Sequence, residues 1–245
     1  MSGSIEVADY PIILSECKTS SDFKLFRETI NTHHSYVKYK DSPTRRISFL
    51  IHESKSGNFI GVIGLSSGTL AIKCRENHIG WDNSIKMQNI HKIANNNRFC
   101  LIKDNITIKN AASMALKTLR ITGAEAWKQK YSNELVLLET FILPNRDIQY
   151  NGNISRNGAC YKADNWINIG MTEGHSIKKI PMLLWKKEQT ERGKLARENP
   201  EECIKKYSYY VNNNENYGYD ITNTDKKIVF IRPLKSDWLK SLFTQ

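Results

Sequence analysis

The sequence lacks the compact signatures by which many enzyme classes are recognised. It contains no G-x-x-x-x-G-K-[ST], no G-x-G-x-x-G and no H-E-x-x-H, which excludes P-loop hydrolysis, a Rossmann dinucleotide site and a zincin as first readings. The five cysteines, Cys17, Cys74, Cys100, Cys160 and Cys203, form no C-x-x-C pair. An odd, scattered set argues against a closed disulfide framework and for a reducing compartment. No stretch approaches the roughly 18 apolar residues that a membrane span needs. The opening Met1-Ser2-Gly3-Ser4 runs into Glu6 and Asp9, without the basic and apolar regions of a secretory leader. A soluble cytoplasmic protein with no membrane partner is expected.

What is present is a globular composition with a basic excess. Of 245 residues, 40% are hydrophobic and 25% charged, enough apolar side chain for a real core. One α/β domain with an appendage is the expected organisation. Lys and Arg outnumber Asp and Glu by 36 to 25, for a net charge of +11 and a pI near 9.3. By region the excess is +1 over 1–50, +6 over 51–170 and +4 over 171–245. Such a balance favours a polyanionic partner, nucleic acid or an anionic cofactor. A solvated surface rich in lysine and asparagine accounts for the same numbers.

Hydrophobic patterning predicts a helix over 20–34, opened by serine and aspartate and carrying Phe23, Phe26 and Ile30 on one face. The runs 46–52 and 58–65 read as a hairpin. Gly61 and Gly64 within the second run signal either a bulge or a close backbone approach. A helix is predicted over 84–94, a short buried strand over 98–102, and a long helix from Asn110, a candidate cap, to about Lys130. A central strand follows over 134–143. Residues 144–159, rich in Asn and Gly, read as a long loop. One helical turn over 161–166 and a strand over 167–170 complete an alternating α/β pattern. Past Ile177 the composition shifts towards lysine, with a charged helix over 188–210, a strand over 227–231 and an amphipathic last helix. The boundary is placed so that 1–176 form the core domain and 177–245 a basic C-terminal extension packing on it.

Several residues are candidates for chemistry, each with a structural alternative. His33-His34-Ser35-Tyr36 puts two imidazoles and a phenol at a helix end, able to hold a metal, shuttle a proton or stack on a base; equally, one histidine packs while the other caps the helix. Arg98 stands at the start of an apolar run, where a guanidinium clamps phosphate or carboxylate, or is an ordinary edge arginine. Glu139 lies inside LVLLETFIL, so its carboxylate is buried and serves as a general base or as an ion-pair partner of Arg98. Tyr161, Asp164 and Trp166 are a base-stacking wall with a carboxylate, or core aromatics.

The ordered series HHSY, HIGW at 78–81, NNNRFCLI at 95–102, LLETF at 137–141, YKADNWINIGMTEG at 161–174 and KKIVFIRPL at 226–234 resembles the DruA-like domain of the Druantia anti-phage system and of transposon-associated proteins. The strand, loop, helix, strand order is similar to the GNAT acyltransferase superfamily and to the Mom-type enzymes of phage Mu that modify adenine in DNA. These resemblances imply a single GNAT-like mixed α/β sheet flanked by helices, in a bacterial host cell. They imply double-stranded DNA as partner and modification of the exocyclic amine of adenine as activity. His34, Tyr36, Glu139 and Asp164 are then the catalytic candidates. Asn110, Ala111 and Ser113, with the loop before them, stand where an acyl-CoA-like donor binds. Arg98, Trp166, Lys178, Lys179, Lys186 and Lys187 are the nucleic-acid contacts. A bound iron is the other cofactor considered. Two departures count against a simple transfer. The loop Lys103 to Lys109 has no glycine, and Ile142-Leu143 stand where DruA-like members often carry an aspartate. The alternative function is a non-catalytic DNA-binding component of a defence or transposition system.

Overall fold

The computed structural model describes residues 10–34, 38–41, 44–144, 158–181, 191–207, 209–211 and 217–244. In chain order the elements are β1 (Ile12–Glu16), α1 (Ser20–His33), β2 (Arg46–Glu53), β3 (Phe59–Ser67), α2 (Lys73–Ile79), α3 (Asn83–Asn89) and β4 (Ile93–Leu101). Then come α4 (Ala111–Thr118), α5 (Ala124–Tyr131), β5 (Leu137–Ile142), α6 (Ala159–Ala163), β6 (Ile167–Met171), β7 (His175–Pro181), two helices over Glu191–Glu198 and Pro200–Tyr207, β8 (Tyr209–Val211), β9 (Tyr217–Asn223), β10 (Ile228–Pro233) and a short helix Trp238–Ser241.

The chain divides into two compact units, Met1–Gly170 with Ile228–Gln245, and Met171–Lys227. The first holds a seven-stranded sheet in the order β1-β2-β3-β4-β5-β10-β6. Strands β1 to β4 are antiparallel neighbours, β4 and β5 are parallel, and β5 and β10 are antiparallel. This is the expected mixed α/β sheet flanked by helices. The second unit carries a three-stranded antiparallel sheet, β7-β9-β8. One expectation changes here. The strand and last helix expected in the C-terminal extension belong to the first unit, because β10 pairs with β5 from Ile228↔Ile142 to Pro233↔Leu137. The second unit by itself holds little of the charge: Met171–Lys227 carries eleven Lys and Arg against nine Asp and Glu, so most of the excess lies in the first unit.

Local chemistry explains the elements that position the site. Helix α1 opens on a capping box: the Thr19 hydroxyl accepts from the Asp22 amide, and the Asp22 carboxylate accepts from the Thr19 amide at 2.9 Å. Its Phe26 and Ile30 face inward as the periodicity requires. The β2–β3 hairpin turns at Gly57, whose φ of +71° suits glycine. At Gly61 a Cβ would lie 2.3 Å from the Cys100 carbonyl oxygen, so close approach is why glycine stands there. The long helix runs as expected from Ala111 to Tyr131, but Leu119–Gly123 is wound as a π-helix. The expected helix over 84–94 stops earlier, since Ile93 and Ala94 already belong to β4. The charged helix over 188–210 is broken at Asn199 before Pro200, which cannot donate within a helix. The loop expected over 144–159 falls mostly outside the described residues.

The sheet buries apolar side chains on both faces. On one face Phe49, Ile63, Ala94, Leu138 and Phe230 pack with Leu116 and Leu119 of the long helix and with Tyr161 and Trp166. The opposite face has two apolar patches. Leu50, Val62 and Cys100 pack with Phe26 and Ile30, while Ile93, Leu137 and Ile231 pack with Ile79, Trp81 and Leu242. A polar strip separates those two patches.

Candidate anion-binding depression and buried polar centres

The polar strip follows from register. Arg46 is paired with Ser66, Ser66 with Asn95, and Asn95 with Glu139 across β2, β3, β4 and β5. The next row pairs Ser48 with Gly64 and Gly64 with Arg98. Between these rows β3 advances two residues while β4 advances three, so one extra residue is inserted in the Asn-Asn-Asn run. Such a β-bulge bends a strand and re-aims its side chains. Here it brings both Asn97 and Arg98 to the α1 side of the sheet, and β4 and β5 cease to pair beyond Asn95↔Glu139.

Arg98 therefore lies in a central strand and not at an edge as expected. It lines a shallow, open depression with Asn97, Arg46, Lys40, Tyr39 and Phe26. The Arg98 Nη1 donates to the Asn97 carbonyl at 2.6 Å. Arg46 pairs with Asp41 at 2.7 Å, and the Tyr39 phenol donates to the same carboxylate at 3.0 Å. Arg46 and Tyr39 together hold the Asp41 carboxyl below its usual range. Burial, reinforced by that hydrogen bond, raises the Tyr39 phenol, which therefore stays protonated at neutral pH. With Arg46 and the Tyr39 hydroxyl held by Asp41, Lys40 and Arg98 supply the excess positive charge that would attract an anion here. His34 is the C-cap residue of α1, its amide donating to the Ile30 carbonyl, and it does not line the depression. Tyr36 lies outside the described residues.

Glu139 is buried, as its apolar neighbours imply, but its partner is not Arg98. Oε2 accepts from Arg75 Nη1 at 2.6 Å and Oε1 accepts from the Thr69 amide at 2.7 Å; both charged side chains are 0% exposed. Each oxygen is committed and closed to substrate, so the general-base role gives way to an ion pair. Arg75 sits on α2, a helix too short and polar to show in the periodicity.

Asp164 and Trp166 lie on the opposite face. Asp164 accepts from Arg120 Nε at 3.0 Å and Nη2 at 2.8 Å, and from the Trp166 indole at 3.0 Å. Trp166 is buried edge-on against Tyr161, which makes it core and removes it as a surface for a base. The Tyr161 hydroxyl donates to Asn96 Oδ1 at 2.8 Å and the Thr140 hydroxyl to the Asn96 carbonyl at 3.0 Å. This network fills the gap where β4 leaves β5.

The residues that the GNAT likeness assigns to an acyl-CoA-like donor do not fit one. In the loop before α4 the Thr107 amide, Ile108 amide and Thr107 hydroxyl all donate to the Glu53 carboxylate, at 2.6, 3.3 and 2.6 Å. A second anion there would meet that charge. Asn110 adopts the left-handed conformation at φ +59° and makes no side-chain cap, Ala111 is buried, and the Ser113 hydroxyl donates back to the Asn110 carbonyl. Among the described residues no group of three or more His, Cys, Asp or Glu could hold a metal ion. Lys178 and Lys179 lie in β7, opposite Asp220 and Tyr219 of β9; Lys186 and Lys187 fall outside the described residues. Among the described residues, His34, Arg98 and Glu139 therefore do not share one cleft.

Gly64-Leu65-Ser66-Ser67-Gly68 has the G-x-S-x-G spelling of a hydrolase nucleophile elbow, which requires a strand-to-helix turn. Here Ser66 is a buried position within β3, and no elbow exists. No helix among the described residues is long and apolar enough to cross a membrane.

Comparison with known proteins agrees with the ordered motifs. No curated protein matches the chain. Among solved structures, one described as "Crystal structure of putative acetyltransferase from Sphaerobacter thermophilus DSM 20745" overlaps 91% of this chain and 93% of its own, at 9% identity and a TM-score of 0.37. A family model described as Druantia protein DruA matches residues 6–184, which take in the first unit up to β6 and the start of the second. The chain belongs to the DruA family.

Proposed function

We propose that this chain binds double-stranded DNA as a component of an anti-phage system, with the depression beside Arg98 taking a backbone phosphate. The observation that carries the reading is the gathering of Lys40, Arg46 and Arg98 at the β4 bulge, in the unit that holds most of the +11 charge. Phosphate contacts supply affinity and make it salt-dependent. Electrophoretic mobility shift of a duplex at two salt concentrations tests it: the Arg98→Ala protein binds more weakly and with a shallower salt dependence, and equal binding by the two proteins sinks the reading.

A second reading is modification of the adenine exocyclic amine. What favours it is Tyr39, an aromatic side chain beside the cations of the depression, since a base drawn out of the duplex is held by stacking. With Glu139 and Asp164 committed to arginines and His34 absent from the lining of the depression, this reading needs a proton acceptor from outside that lining. Nucleoside mass spectrometry of plasmid DNA from expressing cells separates the two readings: added mass on deoxyadenosine, lost in His34→Ala, supports modification, and unmodified DNA leaves binding alone.

A further inference from the structure

We infer that Arg120 and Arg232, on the sheet face opposite the Arg98 depression, form an anion site for a phosphate group, with Asp164 as its anchor. Arg120 leaves the π-wound segment Leu119–Gly123 and is fixed by two bonds to Asp164. Arg232 lies in β10, opposite Leu138 of β5, and Leu138 packs in the core on the long-helix side. Arg232 is partly buried, and among the described residues its Nε is buried without a hydrogen bond.

The charge count decides the chemistry. The Asp164 carboxylate is taken by Arg120 and the Trp166 indole and makes no bond to Arg232. Burial, followed by repulsion from Arg120, lowers the Arg232 pKa, and Asp164 offsets this only in part. A buried guanidinium donor without a partner is costly. A tetrahedral oxyanion removes that cost, because its oxygens accept from a planar fork two at a time. Arg120 remains 22% exposed, which leaves an approach from solvent. This site stands independently of the reading proposed for the depression.

The test is thermal unfolding of the full chain at constant ionic strength, with chloride exchanged for inorganic phosphate. The wild-type protein gains about 2–4 °C in Tm, the shift expected of roughly 1 kcal/mol of linked binding in a protein of this size. Arg232→Met loses the phosphate-dependent gain while its Tm in chloride stays level or rises, since a buried donor without a hydrogen bond has been removed. Arg232→Lys, which keeps the charge, retains part of the gain and keeps the site testable if the methionine variant does not fold. A short DNA duplex at equal phosphate concentration forms the second arm. Protection by both probes, each lost in Arg232→Met, assigns the phosphate to a nucleic-acid backbone, and protection lost in that variant for inorganic phosphate alone assigns it to a small phosphate ligand. Absence of any gain in wild type over chloride, or an equal gain in Arg232→Met, overturns the assignment.

Discussion

Nη1 of Arg75 donates a 2.6 Å hydrogen bond to Oε2 of Glu139 across 64 residues of chain, and neither side chain is exposed to solvent. Breaking such a pair from one side strands a charge in the core, at about 3–5 kcal/mol. Arg75→Met and Glu139→Leu are each expected to lose that much in urea unfolding, and the double variant to recover most of it. A Glu139→Leu protein of wild-type stability would contradict the assignment of the carboxylate to structure.

The depression predicts a graded response in DNA binding. Each lost phosphate contact lowers the slope of log K against log salt by about 1, so Arg98→Ala and Lys40→Ala are each expected to do so in fluorescence anisotropy titrations. The second unit is nearly neutral, with eleven basic against nine acidic residues. Replacing Lys178, Lys179, Lys186 and Lys187 together with alanine is therefore expected to change the slope less per residue than Arg98→Ala alone.

Glu53 links stability to acid. The Thr107 hydroxyl and then its amide hold the Glu53 carboxyl below its usual range. A lowered carboxyl binds fewer protons folded than unfolded, so its contribution is full above the ordinary value of about 4.3 and is lost as pH falls through the lowered one. The wild-type Tm should fall over that acid window, and Glu53→Gln should flatten the fall while lowering Tm at neutral pH. Parallel wild-type and variant curves would remove Glu53 as the cause.

Thiol reactivity follows burial. Desolvation pushes Cys17 up to about 12 and Cys100 up to about 11, far above the pH at which a thiolate forms in cells. In iodoacetamide labelling at pH 8 followed by peptide mass mapping, both are expected to stay unmodified in the native protein and to react in urea. The partly exposed Cys74 and Cys160 are expected to label ahead of them.

Much of the sheet was legible because apolar β-branched runs such as RISFLIH and NFIGVIGL force a half-buried hairpin, and because LVLLETFIL is too apolar to lie outside a core. The burial of Glu139 was readable for the same reason. Its partner was not, since KCRENHI has no apolar stripe and becomes a helix only through tertiary contacts that place Arg75 under Trp81. β1 was missed too; IILSE is short and its pairing with β2 is set at long range. The bulge was hidden by Asn95-Asn96-Asn97, whose polar side chains give no alternation from which to count faces. One inserted residue there decides where Arg98 points. Tyr161 and Trp166 fit a base-stacking wall and a core equally well by composition, and the stacking of Tyr161 on Phe230 and the bond from the Trp166 indole to Asp164 settle it.

Strand β10 lies between β5 and β6 yet follows both in the chain. Until it arrives, β5 has an open backbone edge beside the Glu139 register position, and every residue of Met171–Lys227 must already have been synthesised. A chain stopped anywhere before Ile228 would therefore expose a long apolar strand edge at the centre of the sheet, the geometry that recruits foreign strands. Premature termination should thus yield insoluble protein, however completely the upstream elements have formed.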